Sequence, residues 1–226
     1  MSQHTTLESR FKAFMDSIEH SECIDALVPD DLQLQRADYF LYGRGVILEV
    51  KYLTEDRGET ISQKLSDLAN SDPAFPQFFG TVHVEEVMRH HPGGDTFRNW
   101  LCNYAARTLD SLLRSAHHQI KDTRDFFKLN RSIGVLVLLN EGVELYDEEF
   151  VYQEVSRILH KQDKNGNYQR SHVDAVWFIN EYKSRERRVS SNAYIGPAAR
   201  NEQTNVFLDM LHMRWAAHNK YAIQGL

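Results

Sequence analysis

The stretch "VILEVKYL", residues 46–53, is an apolar run interrupted by one acid and one amine, Glu49 and Lys51. Its β-branched and aromatic residues are those of a strand. Strand side chains alternate between faces, so Glu49 and Lys51 share one face while Leu48, Val50 and Tyr52 take the other. Just upstream, "GRG" at 43–45 separates this run from "QRADYFLY" at 35–42, and the two runs read as a β-hairpin. With a two-residue loop of Arg44 and Gly45, Asp38 faces Lys51; with a four-residue loop from Tyr42 to Gly45, Asp38 faces Glu49. Both registers put Asp38, Glu49 and Lys51 on one face, and only a bulged three-residue loop breaks the count.

The rest of the chain supplies partners for this hairpin. Leu7, Phe11, Phe14, Met15 and Ile18 recur at helical spacing and predict an amphipathic helix over 5–20. Residues 59–70 read as a helix, after which "SDPAFPQFFG" breaks the pattern. A long helical pattern covers 97–127, beyond the turn cluster "HHPGGD". "SIGVLVLLN" at 132–140 and "VDAVWFIN" at 173–180 read as strands buried on both faces. Between them, "DEEFVYQEVSRILHKQ" opens on acids, where the helix macrodipole favours them. "TNVFLDMLHMRWAAH" reads as a closing amphipathic helix. This order predicts a single α/β domain over 1–226, with a mixed central β-sheet flanked by helices. Residues 54–96 form an inserted segment after the Glu-x-Lys strand, suited to a substrate wall or a dimer contact.

Bulk properties set the surroundings. The chain has 226 residues, 42% apolar and 26% charged, an ordinary globular composition. Two cysteines, Cys23 and Cys102, leave no disulfide framework or CxxC metal site, and no run is long enough to span a membrane. These features predict a soluble, cytoplasmic protein with no membrane partner. A net charge of -6 excludes a general polyanion-coating protein. The charge is uneven, however: residues 98–131 carry seven basic residues against three acids, and 183–200 carry five against one. The second zone, "KSRERRVSSNAYIGPAAR", reads as a basic loop, either a solvated surface or a phosphate contact.

Two carboxylates a few ångström apart on a semi-buried surface repel, and a hard divalent cation relieves this through their oxygens. Mg²⁺ suits such a site, since it keeps several waters and takes one or two protein carboxylates plus a substrate phosphate. A neighbouring lysine is then able to hold a water, lower its pKa or stabilise charge developing on phosphorus. Asp38, Glu49 and Lys51 together meet the requirements of metal-assisted phosphodiester hydrolysis.

Asp38, ten intervening residues and then Glu49-Val50-Lys51 resembles the PD-(D/E)xK motif of the restriction-endonuclease-like nuclease superfamily. The resemblance implies that Asp38, Glu49 and the Val50 carbonyl bind Mg²⁺ or Mn²⁺ and that Lys51 assists the water. It implies a restriction-endonuclease-like core built from the helix of 5–20, the hairpin, the helix of 97–127 and the strand of 132–140. Many members add an acid from the first helix, a position Glu8 fits first and Glu19 second; some add a Gln or Lys from the later helix, here Gln119 or Lys121. The proline of the motif is replaced by Ala37. "PD" does occur at Pro29-Asp30, but its spacing to Glu49 is longer and "VPDDLQ" reads as a loop.

On this reading the protein is a metal-dependent nuclease acting on DNA in preference to RNA, and the type of fold points to bacterial defence or restriction. Lys121, Lys183, Arg185, Arg187, Arg188 and Arg200 are the expected phosphate contacts. A homodimer or a partner protein is expected from the resemblance. The competing expectation is a non-catalytic nucleic-acid- or protein-binding module on the same fold. The pairs His90-His91 and His117-His118 read as surface or satisfied histidines, because neighbours on a helix point apart and no ligand spacing completes a zinc site. Tyr194 reads as a plain loop tyrosine, with base stacking as the alternative.

Overall fold

The computed structural model describes residues 6–29, 32, 34–53, 58–73, 75, 91–181, 189–199 and 203–221. In chain order these hold α1 (Leu7–Ser17), β1 (Glu22–Cys23), a 3-10 turn (Ile24–Ala26), β2 (Tyr39–Leu41), β3 (Val46–Leu53) and α2 (Gly58–Ser71). There follow α3 (Gly94–Phe126), β4 (Ile133–Asn140), α4 (Glu148–Leu159), β5 (Ala175–Asn180), β6 (Ser190–Ile195) and α5 (Thr204–Asn219). The chain divides into two compact units, one of Met1–Leu53 with Leu109–Leu226 and one of Thr54–Thr108, and the division falls inside α3.

The first unit is an α/β structure around a six-stranded mixed sheet in the order β1-β2-β3-β4-β5-β6. β3, β4 and β5 run parallel, and β1, β2 and β6 complete the sheet through antiparallel pairs. All eight residues of β4 and all six of β5 are buried. Helices cover both faces of parallel strands, which is why these two sequences show apolar runs without alternation. On one face Leu48 and Val50 of β3, Val135 and Val137 of β4, and Trp177 and Ile179 of β5 join Phe11 and Phe14 of α1 and Leu211 and Trp215 of α5 in one core. Phe14 packs edge-on against both Trp177 and Trp215, with ring centroids 6.3 and 5.2 Å away. The second half of α3 approaches the other face so closely that a Cβ on Gly134 of β4 would lie 2.7 Å from Ile120 Cγ2 and 2.1 Å from the His172 carbonyl.

Short-range chemistry fixes the helix ends. The Thr6 hydroxyl accepts from the Ser9 amide at 3.2 Å to cap α1, and the Asp147 carboxylate accepts from the Phe150 amide at 2.8 Å to cap α4. A closed ion pair ties α3 to the sheet: the buried Arg124 donates to Asp174 Oδ2 at 3.1 Å and to the Ser132 carbonyl at 2.9 Å, and Asp174 Oδ2 also accepts from the Gly134 amide at 2.7 Å.

The hairpin loop is the four-residue alternative, because Leu41 pairs with Val46 and Tyr39 with Leu48. Tyr42, Gly43 and Arg44 turn the chain with φ of 52°, 59° and 67°. β2 is shorter than "QRADYFLY" predicts: Asp38 precedes it, and the Ala37 amide turns away to donate to Thr123 Oγ1 of α3 at 2.8 Å. The reading of 183–200 as one loop also needs correction, since Ser190–Ile195 forms β6, antiparallel to β5. "SSNAYI" carries little apolar signal of its own, and pairing with a fully buried neighbour makes it a strand. Tyr194 is therefore a strand residue, packed 5.5 Å from the Tyr152 ring.

The second unit holds α2 and the start of α3. Phe97 is its buried centre, with Leu65, Leu68, Phe75, Trp100 and Leu101 packed around it. His91 closes it, accepting from the Gly93 amide at Nδ1 and placing Nε2 3.2 Å from Asp72. No helix among the described residues is long and apolar enough to cross a membrane.

Candidate functional site

β3 outruns its neighbour on one side. β2 pairs with it only as far as Leu48, whereas β4 follows it to Leu53. Since Leu48 accepts from the Asp38 amide at 3.1 Å, alternation points the main-chain groups of Leu48, Val50 and Tyr52 toward the β2 side, and beyond Leu48 no described strand takes them. Asp38 fills the first gap. Its Oδ2 accepts from the Val50 amide at 2.6 Å, so a side chain replaces the missing strand partner. The Val50 carbonyl projects from the same open edge by the same alternation.

Asp38 comes one residue before Tyr39 and Glu49 one after Leu48, the last pair of the ladder, and their carboxyl groups interact directly. On its other side Glu49 is flanked by Leu136 of β4, and it is only 1% exposed. Two residues on, Lys51 returns to the same face and sets Nζ 2.5 Å from Glu49 Oε1, while 22% of its side chain stays accessible. The other carboxylate oxygen, Glu49 Oε2, is buried with no hydrogen-bond donor among the described residues. Two acceptors facing each other cannot satisfy one another unless one carries a proton or a cation sits between them.

The electrostatics follow from that conflict. Burial and then the Asp38 carboxylate push the Glu49 carboxyl up to about 8, against the pull of Lys51. Burial likewise raises Asp38 above the ordinary carboxylate range, opposed by the Val50 amide and Lys51. Two like-charged groups in a desolvated place therefore share a proton at neutral pH or bind a cation. The donor set suits a hard divalent ion: two carboxylate oxygens, one of them orphaned, and a main-chain carbonyl on an open edge. Among the described residues no group of three or more His, Cys, Asp or Glu side chains gathers as a metal cluster, so any ion here would complete its shell with the carbonyl, waters and substrate.

Glu8, Glu19, Gln119 and Lys121 have surroundings of their own. Glu8 is exposed in the first turn of α1, and its charge reaches Tyr52, which stands on the opposite face of β3 from Glu49. Glu19 lies past the end of α1, 87% exposed and beside His20. Gln119 spans from Ser115 to the Arg36 carbonyl, to which it donates at 2.9 Å. Together with Thr123 it pins the segment that delivers Asp38. Lys121 pairs with Asp125 along the helix at 3.0 Å. Lys183, Arg185, Arg187, Arg188 and Arg200 lie outside the described residues.

The residues that sequence reasoning missed are Thr123 and Arg124. Each is a polar residue on the inner stripe of α3, and that misplaced polarity is the signal that marks them. Comparison with protein-family models, with curated proteins and with solved structures finds no match for the chain.

Proposed function

We propose that the chain is a divalent-metal-dependent nuclease with a restriction-endonuclease-like core, hydrolysing phosphodiester bonds of DNA in preference to RNA. One observation carries this: Asp38, Glu49 and Lys51 converge where β3 runs past β2, with one buried oxygen of Glu49 lacking a donor among the described residues. Asp38, Glu49 and the Val50 carbonyl would hold Mg²⁺ or Mn²⁺. When bound, the ion supplies Lewis acidity toward phosphate and water.

The chain's own residues supply the rest. Asp38 has one oxygen tied to the Val50 amide, so its position is fixed before any ligand arrives. Glu49 holds Lys51 by its Oε1, keeping the ammonium in place beside the carboxylates. From there Lys51 is able to orient a water and to offset charge developing on the phosphoryl oxygens. A part in bacterial defence or restriction, a homodimeric or partnered state and a cytoplasmic setting belong to this reading through the resemblance alone.

A non-catalytic nucleic-acid- or protein-binding module is the second reading, favoured by the lack of a third acidic side chain among the described residues at the trio. Cleavage of single- and double-stranded DNA and RNA with Mg²⁺ or Mn²⁺ separates the two. Wild type should cut only with metal, and Lys51→Ala and Glu49→Ala should each lose about 100-fold or more, the order expected for a removed catalytic group. Unchanged cutting by both variants would remove the site assignment. No carboxylate-dependent metal binding, together with no cleavage, would favour the binding module.

A further inference from the structure

A second feature of the hairpin lies at its turn. Gly43, Arg44 and Gly45 face the loop that joins α3 to β4, residues 128–132, across a pocket of about 430 Å³. Gly45 precedes Glu49 by four residues, roughly 13 Å along a strand, so this pocket is separate from the carboxylates. Three cations line it. Lys128 and Arg131 are exposed, and neither has an ion-pair partner among the described residues. Arg44 is built in: Nε and Nη2 hold Glu22 at 3.1 and 2.8 Å, and the guanidinium lies 5.2 and 5.3 Å from the centres of the Phe40 and Phe127 rings. Its Nη1 is left without a partner among the described residues. Glu22 is paired with Arg44, and Asp125, three residues before Lys128, with Lys121. Lys128 and Arg131 thus remain without an ion-pair partner among the described residues, in a chain of net charge -6.

The geometry points to an anion site here, and we infer that its ligand is a backbone phosphate of the bound polynucleotide, several nucleotides from the scissile bond. The chemistry required is a phosphodiester or phosphate oxyanion, since Arg44 presents a fixed, planar donor and Lys128 and Arg131 supply mobile charge. The pocket is open and its two free cations are exposed, which suits a phosphate carried past on a chain better than an engulfed free ion. Arg44, Lys128 and Arg131 thus position nucleic acid without reading its bases. The choice of a polynucleotide as source rests on the nuclease reading; the anion site does not.

The test is binding of a short fluorescent duplex and its single strand by the full chain, with divalent metal chelated, across about 50 to 200 mM salt. Each phosphate neutralised contributes about 0.9 to the slope of log K against log salt on duplex DNA, so Lys128→Ala/Arg131→Ala, which empties a site for one phosphate, should flatten the slope by roughly 0.9. The thermal midpoint should not move, because both side chains are exposed. Amide resonances of Gly43, Gly45 and Arg131 should shift with DNA, and Lys128→Glu/Arg131→Glu should abolish that shift. An unchanged slope with the fold intact overturns the proposal. Amides that respond to inorganic phosphate but not to DNA overturn its polynucleotide part and leave a small-anion site. A flattened slope in a protein that never cuts supports this site while sinking the nuclease reading; metal-dependent cutting with an unchanged slope does the reverse.

Discussion

Replacing Glu49 by glutamine should stabilise the metal-free protein at neutral and alkaline pH while abolishing the cleavage proposed for it. Glutamine keeps the shape, removes the charge and offers an amide N–H to Asp38, which removes the acceptor–acceptor conflict. The magnitude follows from linkage. Glu49 titrates near 8 in the folded chain, against an ordinary 4.5. Between those values the folded state binds more protons than the unfolded state, so stability falls as pH rises through this window. At about 1.36 kcal/mol per unit the penalty is of order 3 kcal/mol at pH 7, approaching about 5 above pH 8. Below about pH 4.5 both states are protonated and the gain should vanish. For a chain of this size that is a rise in Tm of roughly 6 to 12 °C at pH 7, readable by calorimetry or circular dichroism. Mn²⁺ should reverse the order, raising the Tm of wild type and not of the variant. A Glu49→Gln protein less stable than wild type at both pH 5 and pH 8 would refute the account of a strained carboxylate pair.

Further expectations concern the supports of the site. Gly134→Ala should cost about 3 kcal/mol or more, because its Cβ would meet the His172 carbonyl at 2.1 Å, and chemical denaturation measures it. Asp174→Ala should cost about 3–5 kcal/mol by stranding the buried Arg124, and Arg124→Leu/Asp174→Leu should recover much of that loss. Gln119→Ala removes the bond to the Arg36 carbonyl and should cost about 1 kcal/mol without moving the pH profile of cleavage. Burial and then the neighbouring His118 depress His117 to about 4, so the folded chain resists protonating it and loses stability as pH falls below 6.5. His117→Gln should blunt that acid loss in thermal melts taken between pH 7 and pH 4.

The central strands and most helices are legible in the sequence because burial writes itself into composition. "IGVLVLLN" and "AVWFIN" are apolar throughout since both faces are covered, and the α1 stripe from Leu7 to Met15 shows helical spacing since only one side is. The phase of Asp38 with Glu49 is legible too, because period-two alternation survives either loop length. What stays hidden depends on long-range partners. β1 is two residues long, and β6 is a polar edge strand whose pairing is decided by β5. The four-residue turn rests on left-handed Tyr42 and Arg44, residues that do not announce such a backbone. The work of Gln119 and Thr123 is equally unreadable in one dimension, since their partners Arg36 and Ala37 lie more than 80 positions away.

One carboxylate in this chain serves two masters. Asp38 stops the margin of β3 from presenting a bare amide, and on the reading proposed above it would also be one of the metal's ligands. On that reading architecture and reactivity would meet at a single carboxylate, and whatever loosens it would also unzip the margin. Asp38→Asn, which keeps an oxygen to accept from the Val50 amide, should therefore spare the margin, whereas Asp38→Ala should strip it.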